Sequence, residues 1–151
     1  CEAHACAGLN SVHYLRRDKG SYGYVKAGEW LDVGVSGTWG NPAARWGVSD
    51  AITGIPVLYT QAGGTWQGYS CDVAVLTELG SKGPVEIARV PIYYSDASRE
   101  NGPTLRGAIT AAERGRSFTV TYAGSDSFSE RYVRGADGTY KLEGKTRMKT
   151  C

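Results

Sequence analysis

The chain has 151 residues and a formal net charge of +2, the length of one domain that buries a core without a metal. So small a charge does not imply nucleic acid or an anionic membrane as the main partner, and neither is expected. No apolar run approaches the roughly 20 residues that span a bilayer as a helix, so no transmembrane segment is expected.

Residues 1–20, CEAHACAGLNSVHYLRRDKG, lack a clear period and read as an N-terminal arm tethered by cysteines, with VHYL a candidate strand start; residues 21–151 form the folded domain. Cys1, Cys6, Cys71 and Cys151 lie toward both ends of the chain with no C-x-x-C pair. A zinc site at Cys1, His4 and Cys6 is cramped and lacks a fourth ligand. Two disulfides are expected instead, and they imply export to an oxidising compartment, extracellular or periplasmic. Four cysteines allow three pairings; the favoured one ties the N-terminal segment to Cys71 and uses Cys151 in the second bond. A chain opening on Cys1 fits a removed signal peptide. The rival is a lipid anchor at Cys1, which would leave three thiols, an odd count that weighs against it.

From Tyr22 the pattern changes. Leu31, Val33 and Val35 alternate with Asp32, Gly34 and Ser36, the period of a strand with one buried face. Asn41-Pro42 breaks it. Ile55–Thr60 is a short strand before a Gly63-Gly64 turn. Asp72–Leu79 points Val73, Val75 and Leu79 inward. Val85–Tyr94 begins with Val85 and Ile87 on one face and then shifts phase to Val90, Ile92 and Tyr94, which predicts a bulge or an edge strand near Pro91. Thr104–Thr110 follows the loop SDASRENGP. Ser117–Tyr122 is the cleanest strand, with Phe118, Val120 and Tyr122 inward. Arg131–Val133 and Thr139–Leu142 flank the hairpin signal Asp137-Gly138. Ala111–Arg116 is the single helix-like stretch and is too short to matter. Glycine, 21 residues and roughly twice its average share, punctuates these runs. About eight strands at regular spacing predict an all-β, single-domain antiparallel β-sandwich or jelly roll tied by disulfides, with a barrel as runner-up.

Three tryptophans fall between Gly28 and Gly47. Trp39 continues the odd-numbered face of Leu31 and Val33 and is expected in the core; Trp30 has the opposite parity. Trp46 lies beyond Pro42, in a predicted loop near Asn41, Arg45 and Asp50. An aromatic ring bracketed by planar polar side chains is the make-up of a sugar site, so these four residues are the candidate ligand platform. The alternative is that Trp46 plugs the end of the sandwich. Trp66, with Tyr69 in GGTWQGYS, is a second candidate of the same kind.

The segment YVKAGEWLDVGVSGTWGNPAARWGVSD resembles the opening of the calcium-dependent, galactose-binding bacterial lectins of the PA-I type. VAVLTELG resembles their strand before a glycine turn and RGRSFTVTYAG their closing strand, so the resemblance spans roughly Tyr22 to Gly124. It implies a jelly-roll sandwich and sugar binding. The calcium loop of that family would fall at Ala111–Arg116, which carries two arginines, and Arg99 sits among Asp96, Glu100 and Asn101. Calcium takes several oxygen ligands and negative charge, so no calcium, and no other cofactor or metal, is expected.

Catalysis is the minor reading. His4 and His13 are the only histidines, and a small secreted nuclease would pair one of them with Glu78 or Glu86 and an arginine. No G-x-S-x-G, H-E-x-x-H or phosphate loop is present. Arg131, Arg134, Lys141, Lys145, Arg147 and Lys149 make a basic tail that reads as a solvated strand edge, or as a site for a sulfated glycan or acidic envelope polymer. The expected function is an exported, non-catalytic, lectin-like binding module for a glycan or envelope polymer. The alternatives are a subunit of an extracellular or envelope assembly that binds copies of itself, such as a filament or lipoprotein component, and the secreted nuclease.

Overall fold

A computed structural model describes residues 6–34, 40–43 and 45–151. The expectations for Cys1, His4, Val35, Ser36 and Trp39 lie outside the described residues.

The described chain is all β, with ten strands: β1 Val12–Arg17, β2 Tyr24–Trp30, β3 Arg45–Ser49, β4 Val57–Trp66, β5 Tyr69–Gly80, β6 Gly83–Asp96, β7 Thr104–Glu113, β8 Ser117–Gly124, β9 Phe128–Arg134 and β10 Tyr140–Leu142. β1 and β2 form a separate antiparallel hairpin, so a boundary at residue 20 falls inside it. β3 to β10 form one antiparallel sheet in chain order, each strand pairing with its sequence neighbour. The crossed connections of a jelly roll are therefore not found among the described strands, and the sandwich form of the expectation is the one that fits.

One pairing bends the sheet into two layers. β6 meets β7 only where Tyr93, Tyr94 and Ser95 face Arg106, Leu105 and Thr104, after which the strands part. β3–β6 and β7–β10 then bury one core between them, with Leu76, Val90 and Ile92 against Phe118, Val120, Tyr122 and Tyr132. The Tyr122 hydroxyl crosses between the layers to donate to the Pro91 carbonyl at 2.9 Å. Phe118 and Tyr132 stack at 5.0 Å, and Tyr122 and Phe128 at 4.7 Å.

The inward alternation of Phe118, Val120 and Tyr122 is as expected. So is the phase shift in β6: the register skips at Ile87 and at Ile92, bulges that turn Ala88, Val90, Ile92 and Tyr94 to the buried side. Val85 is exposed. The Asp137-Gly138 hairpin also forms, with Gly138 at φ 81° and the Thr139 amide donating to the Asp137 carboxylate at 3.0 Å.

Other expectations are corrected. The strand expected at Leu31–Ser36 lies earlier, at β2; Asp32 and Gly34 take φ values of 60° and 56°, left-handed conformations that end a strand. Gly63-Gly64 is not a turn. Both residues lie within β4, where β5 approaches so closely that a Cβ on Gly63 would stand 1.9 Å from the Cys71 carbonyl oxygen. The turn is Gln67-Gly68, with φ 50° and 89°, the positive pair of a two-residue hairpin loop. Of the residues expected inward on β5, Val75 is buried, but on the face opposite Ala74 and Leu76 of the main core, and Val73 and Leu79 are only half-buried.

The opposite face of β5 is covered as well. Thr60 and Thr77 are buried there, and the Thr60 hydroxyl donates to the Gly34 carbonyl at 3.1 Å. The N-terminal hairpin packs nearby, with the Tyr14 hydroxyl on the Gly80 carbonyl at 2.9 Å and its ring 4.5 Å from that of Trp30.

Cys71 pairs with Cys151, across 80 positions of sequence, not with the N-terminal segment; Cys6 is also disulfide-bonded. The C-terminal tail is brought to β5 by its own packing. Met148 is buried, and the buried Glu130 of β9 accepts the Thr146 hydroxyl at 2.8 Å and the Arg147 amide at 2.7 Å. A disulfide of this kind marks an oxidising, non-cytosolic environment. Among the described residues, no helix is long and apolar enough to cross a membrane.

Candidate functional site

β3 is the edge strand of the first layer, and its alternation decides the site. Arg45, Gly47 and Ser49 lie opposite Gln61, Tyr59 and Val57 of β4, while Trp46 and Val48 lie opposite Thr60 and Leu58. Directly opposed residues in an antiparallel pair share a face. Arg45, Gly47 and Ser49 therefore occupy the face where β4 and β5 carry Val57 and Leu76 of the core. Glycine and serine at two of these three positions leave the end of the core unfilled.

The result is a cavity of about 460 Å³ between β3 and the outer half of β7, where β7 has left β6. Its walls are mainly apolar: Ile52, Val57, Leu76, Ile109, Ala111 and Ala112. A Cβ added to Gly47 would meet nothing within 4 Å. The register of β7 against β8 skips Thr110, a bulge that brings Thr110 and Ala111 to the cavity wall. One end is closed by the β7–β8 turn: the Gly115 amide donates to the Ile52 carbonyl at 2.6 Å, and Arg114 stands 3.7 Å from Asp50.

The polar side chains in the lining are few, chiefly Arg45, Ser49, Tyr59 and Thr110. Behind the lining, the Tyr59 hydroxyl donates to the Gln61 side-chain oxygen at 2.9 Å, and the Gln61 amide donates to the Asp72 carboxylate at 3.0 Å. Burial raises the Tyr59 pKa above the usual tyrosine value, with the nearby Arg45 guanidinium opposing the shift. Among the described residues, Arg45 is the one charged side chain in the lining. Among the described residues, no group of three or more His, Cys, Asp or Glu is placed to hold a metal ion.

The five expected ligand residues are not brought together. Arg45 and Trp46 both line the cavity, but Trp46 lies in β3 rather than in a loop and is 73% exposed. Asp50 follows β3, pairs with Arg114 and does not line the cavity. The Asn41 carbonyl rests against Gly8, where a Cβ would come within 1.4 Å of it, so Asn41 belongs to the packing of the N-terminal segment. Trp66 lies six residues along β4 from Thr60, the partner of Trp46, a separation of about 20 Å at strand rise. It lines a smaller pocket of about 260 Å³ beside the Cys71–Cys151 bond, with Arg89 and Lys149.

Gly47, Tyr59 and Ile109 were not singled out in the sequence. The available signal was the run Arg45, Gly47, Ser49, three non-apolar residues at inward positions of a strand.

The other candidate chemistry is dispersed. His13 Nδ1 stands 3.4 Å from Glu29 on the exposed N-terminal hairpin, Glu78 pairs with Arg134 at 3.4 Å, and Glu86 pairs with Arg89 at 2.9 Å. Ala111–Glu113 complete β7, and Arg99 pairs with the buried Asp96 at 2.8 Å. In the basic tail Arg131 meets Glu113 and Glu143, Lys141 meets Asp137, and Arg147 meets Asp126. Lys149 stands over the Tyr94 ring at 5.5 Å.

Comparison of the chain with protein-family models, with curated proteins and with solved structures gives no match in any of the three.

Proposed function

We propose that this protein is an exported, non-catalytic binding module, working outside the cell or in the periplasm, whose ligand enters the cavity between β3 and β7. The observation that carries this reading is Gly47. It faces open space at the end of an otherwise filled core, where any larger apolar side chain would add burial. A cavity of about 460 Å³ with apolar walls and a few polar groups is of the size and make-up of small-molecule sites.

The test is uptake of a neutral apolar fluorophore, N-phenyl-1-naphthylamine. The wild-type protein binds it with enhanced fluorescence, whereas Gly47→Leu, which takes up part of the cavity, weakens the signal without a fall in melting temperature. No uptake by the wild-type protein overturns the reading.

A carbohydrate is the second reading, favoured by the exposed ring of Trp46, which the alternation of β3 sets on the face of Leu58 and Thr60, away from the cavity. Sugar binding would then depend on that ring rather than on the cavity. On a glycan array, retention lost in Trp46→Ala but kept in Gly47→Leu selects it.

A further inference from the structure

We infer that the ligand of the β3–β7 cavity is an amphiphile with an apolar body and a carboxylate head, the body in the cavity and the head on Arg45. This rests on the reading of the cavity as the ligand site and names the chemistry it selects.

Three observations carry it. Among the described residues, the lining contains one charged side chain, Arg45, and no carboxylate. Arg45 has no ion-pair partner among the described residues, whereas Arg131, Arg134 and Arg147 on the opposite layer are each tied to an acid. The acids nearest the far end of β3 are occupied, Asp50 by Arg114 and Glu113 by Arg131.

The polarity of the site is therefore directional. Arg45 begins β3, and Ile52, which follows the other end of the strand, helps form the apolar wall at the closed end. A guanidinium binds a carboxylate through two parallel hydrogen bonds, a geometry that a hydroxyl cannot match. Because Arg45 is exposed, the head group keeps part of its hydration while the apolar body leaves water. A neutral sugar would present hydroxyls to walls of Val57, Leu76 and Ile109, which offer them no partners.

The experiment displaces N-phenyl-1-naphthylamine with dodecanoate and with dodecanol, each below its aggregation concentration, in the wild-type protein, Arg45→Gln and Gly47→Leu. Dodecanoate is expected to bind about tenfold or more tightly than dodecanol, the scale of a hydrogen bond to a charged group. Arg45→Gln is expected to bring the two to equal affinity while still taking up the fluorophore. Equal binding of acid and alcohol by the wild-type protein, or an unchanged preference in Arg45→Gln, overturns the carboxylate inference and leaves the cavity reading intact. Failure of the wild-type protein to take up the fluorophore or either amphiphile overturns both.

Discussion

Glu130, on the inner face of β9, accepts the backbone amide of Arg147 at 2.7 Å, so a buried carboxylate holds the C-terminal tail against the sheet. The same oxygen takes the Thr146 hydroxyl at 2.8 Å, while its other oxygen is buried without a hydrogen-bond partner among the described residues. Glu130→Ala removes the shared acceptor of three donors, the Thr146 hydroxyl and the Arg147 and Met148 amides, and is expected to cost roughly 3 kcal/mol. Glu130→Gln keeps a carbonyl oxygen for these donors and removes a buried charge, so its loss should be clearly smaller. Urea unfolding of the two variants checks the order; equal losses would show that the charge, and not the acceptor, holds the tail.

The Cys71–Cys151 bond closes a loop of 80 positions. Long loops gain most from closure, and loss of such a bond is expected to cost about 2–5 kcal/mol. Cys151→Ser should lower the unfolding free energy from urea titration by that amount while leaving the far-ultraviolet strand signal unchanged, because Glu130 and Met148 hold the tail independently.

Two glycines in neighbouring strands should respond oppositely to a single methyl group. A Cβ on Gly63 would stand 1.9 Å from the Cys71 carbonyl oxygen and 2.7 Å from the Asp72 Cα, both main-chain atoms that cannot swing away. Gly63→Ala is therefore expected to lose about 2 kcal/mol or more. Gly47→Ala meets open space and should leave the melting temperature unchanged or raise it slightly. Thermal unfolding of the pair is sufficient.

Asp96 sets an acid dependence. The Ser98 hydroxyl first, then the Ser98 amide and the Arg99 guanidinium, outweigh burial and hold its carboxyl below the usual carboxylate range. A folded-state pKa below the unfolded one stabilises the fold above the unfolded value, and the contribution is lost as pH falls through the folded value. Asp96→Asn should therefore be less stable than wild type at neutral pH, and the gap should close as the pH is lowered past the ordinary carboxylate range. A gap that stays constant down to strongly acid pH would show that the Asp96 charge carries no part of it. Melting temperature against pH for both proteins measures this.

The strands were legible wherever alternation was strict and both ends were marked. Ser117–Tyr122 shows this most clearly, because Phe118, Val120 and Tyr122 leave one choice of inward face. The β6 phase shift was legible for the same reason, since a change of parity inside an apolar run has few explanations other than a bulge. β5 was misread because both of its faces are buried. Val75 and Leu76 are equally hidden, and alternation carries no information about which layer covers which face.

At the site, the sequence alone singled out Arg45 and Trp46 but grouped them with Asn41, Asp50 and Trp66, which the fold sends to other places. Composition, alternation and turn chemistry are local properties, and they determined an all-β chain of antiparallel hairpins and the inward face of its cleanest strand. The partner of Cys71, the parting of β6 and β7, and the cavity before Gly47 depend on residues far apart in the chain. Only packing of the two layers brings those residues together, because a cavity is a property of what the opposite wall fails to fill.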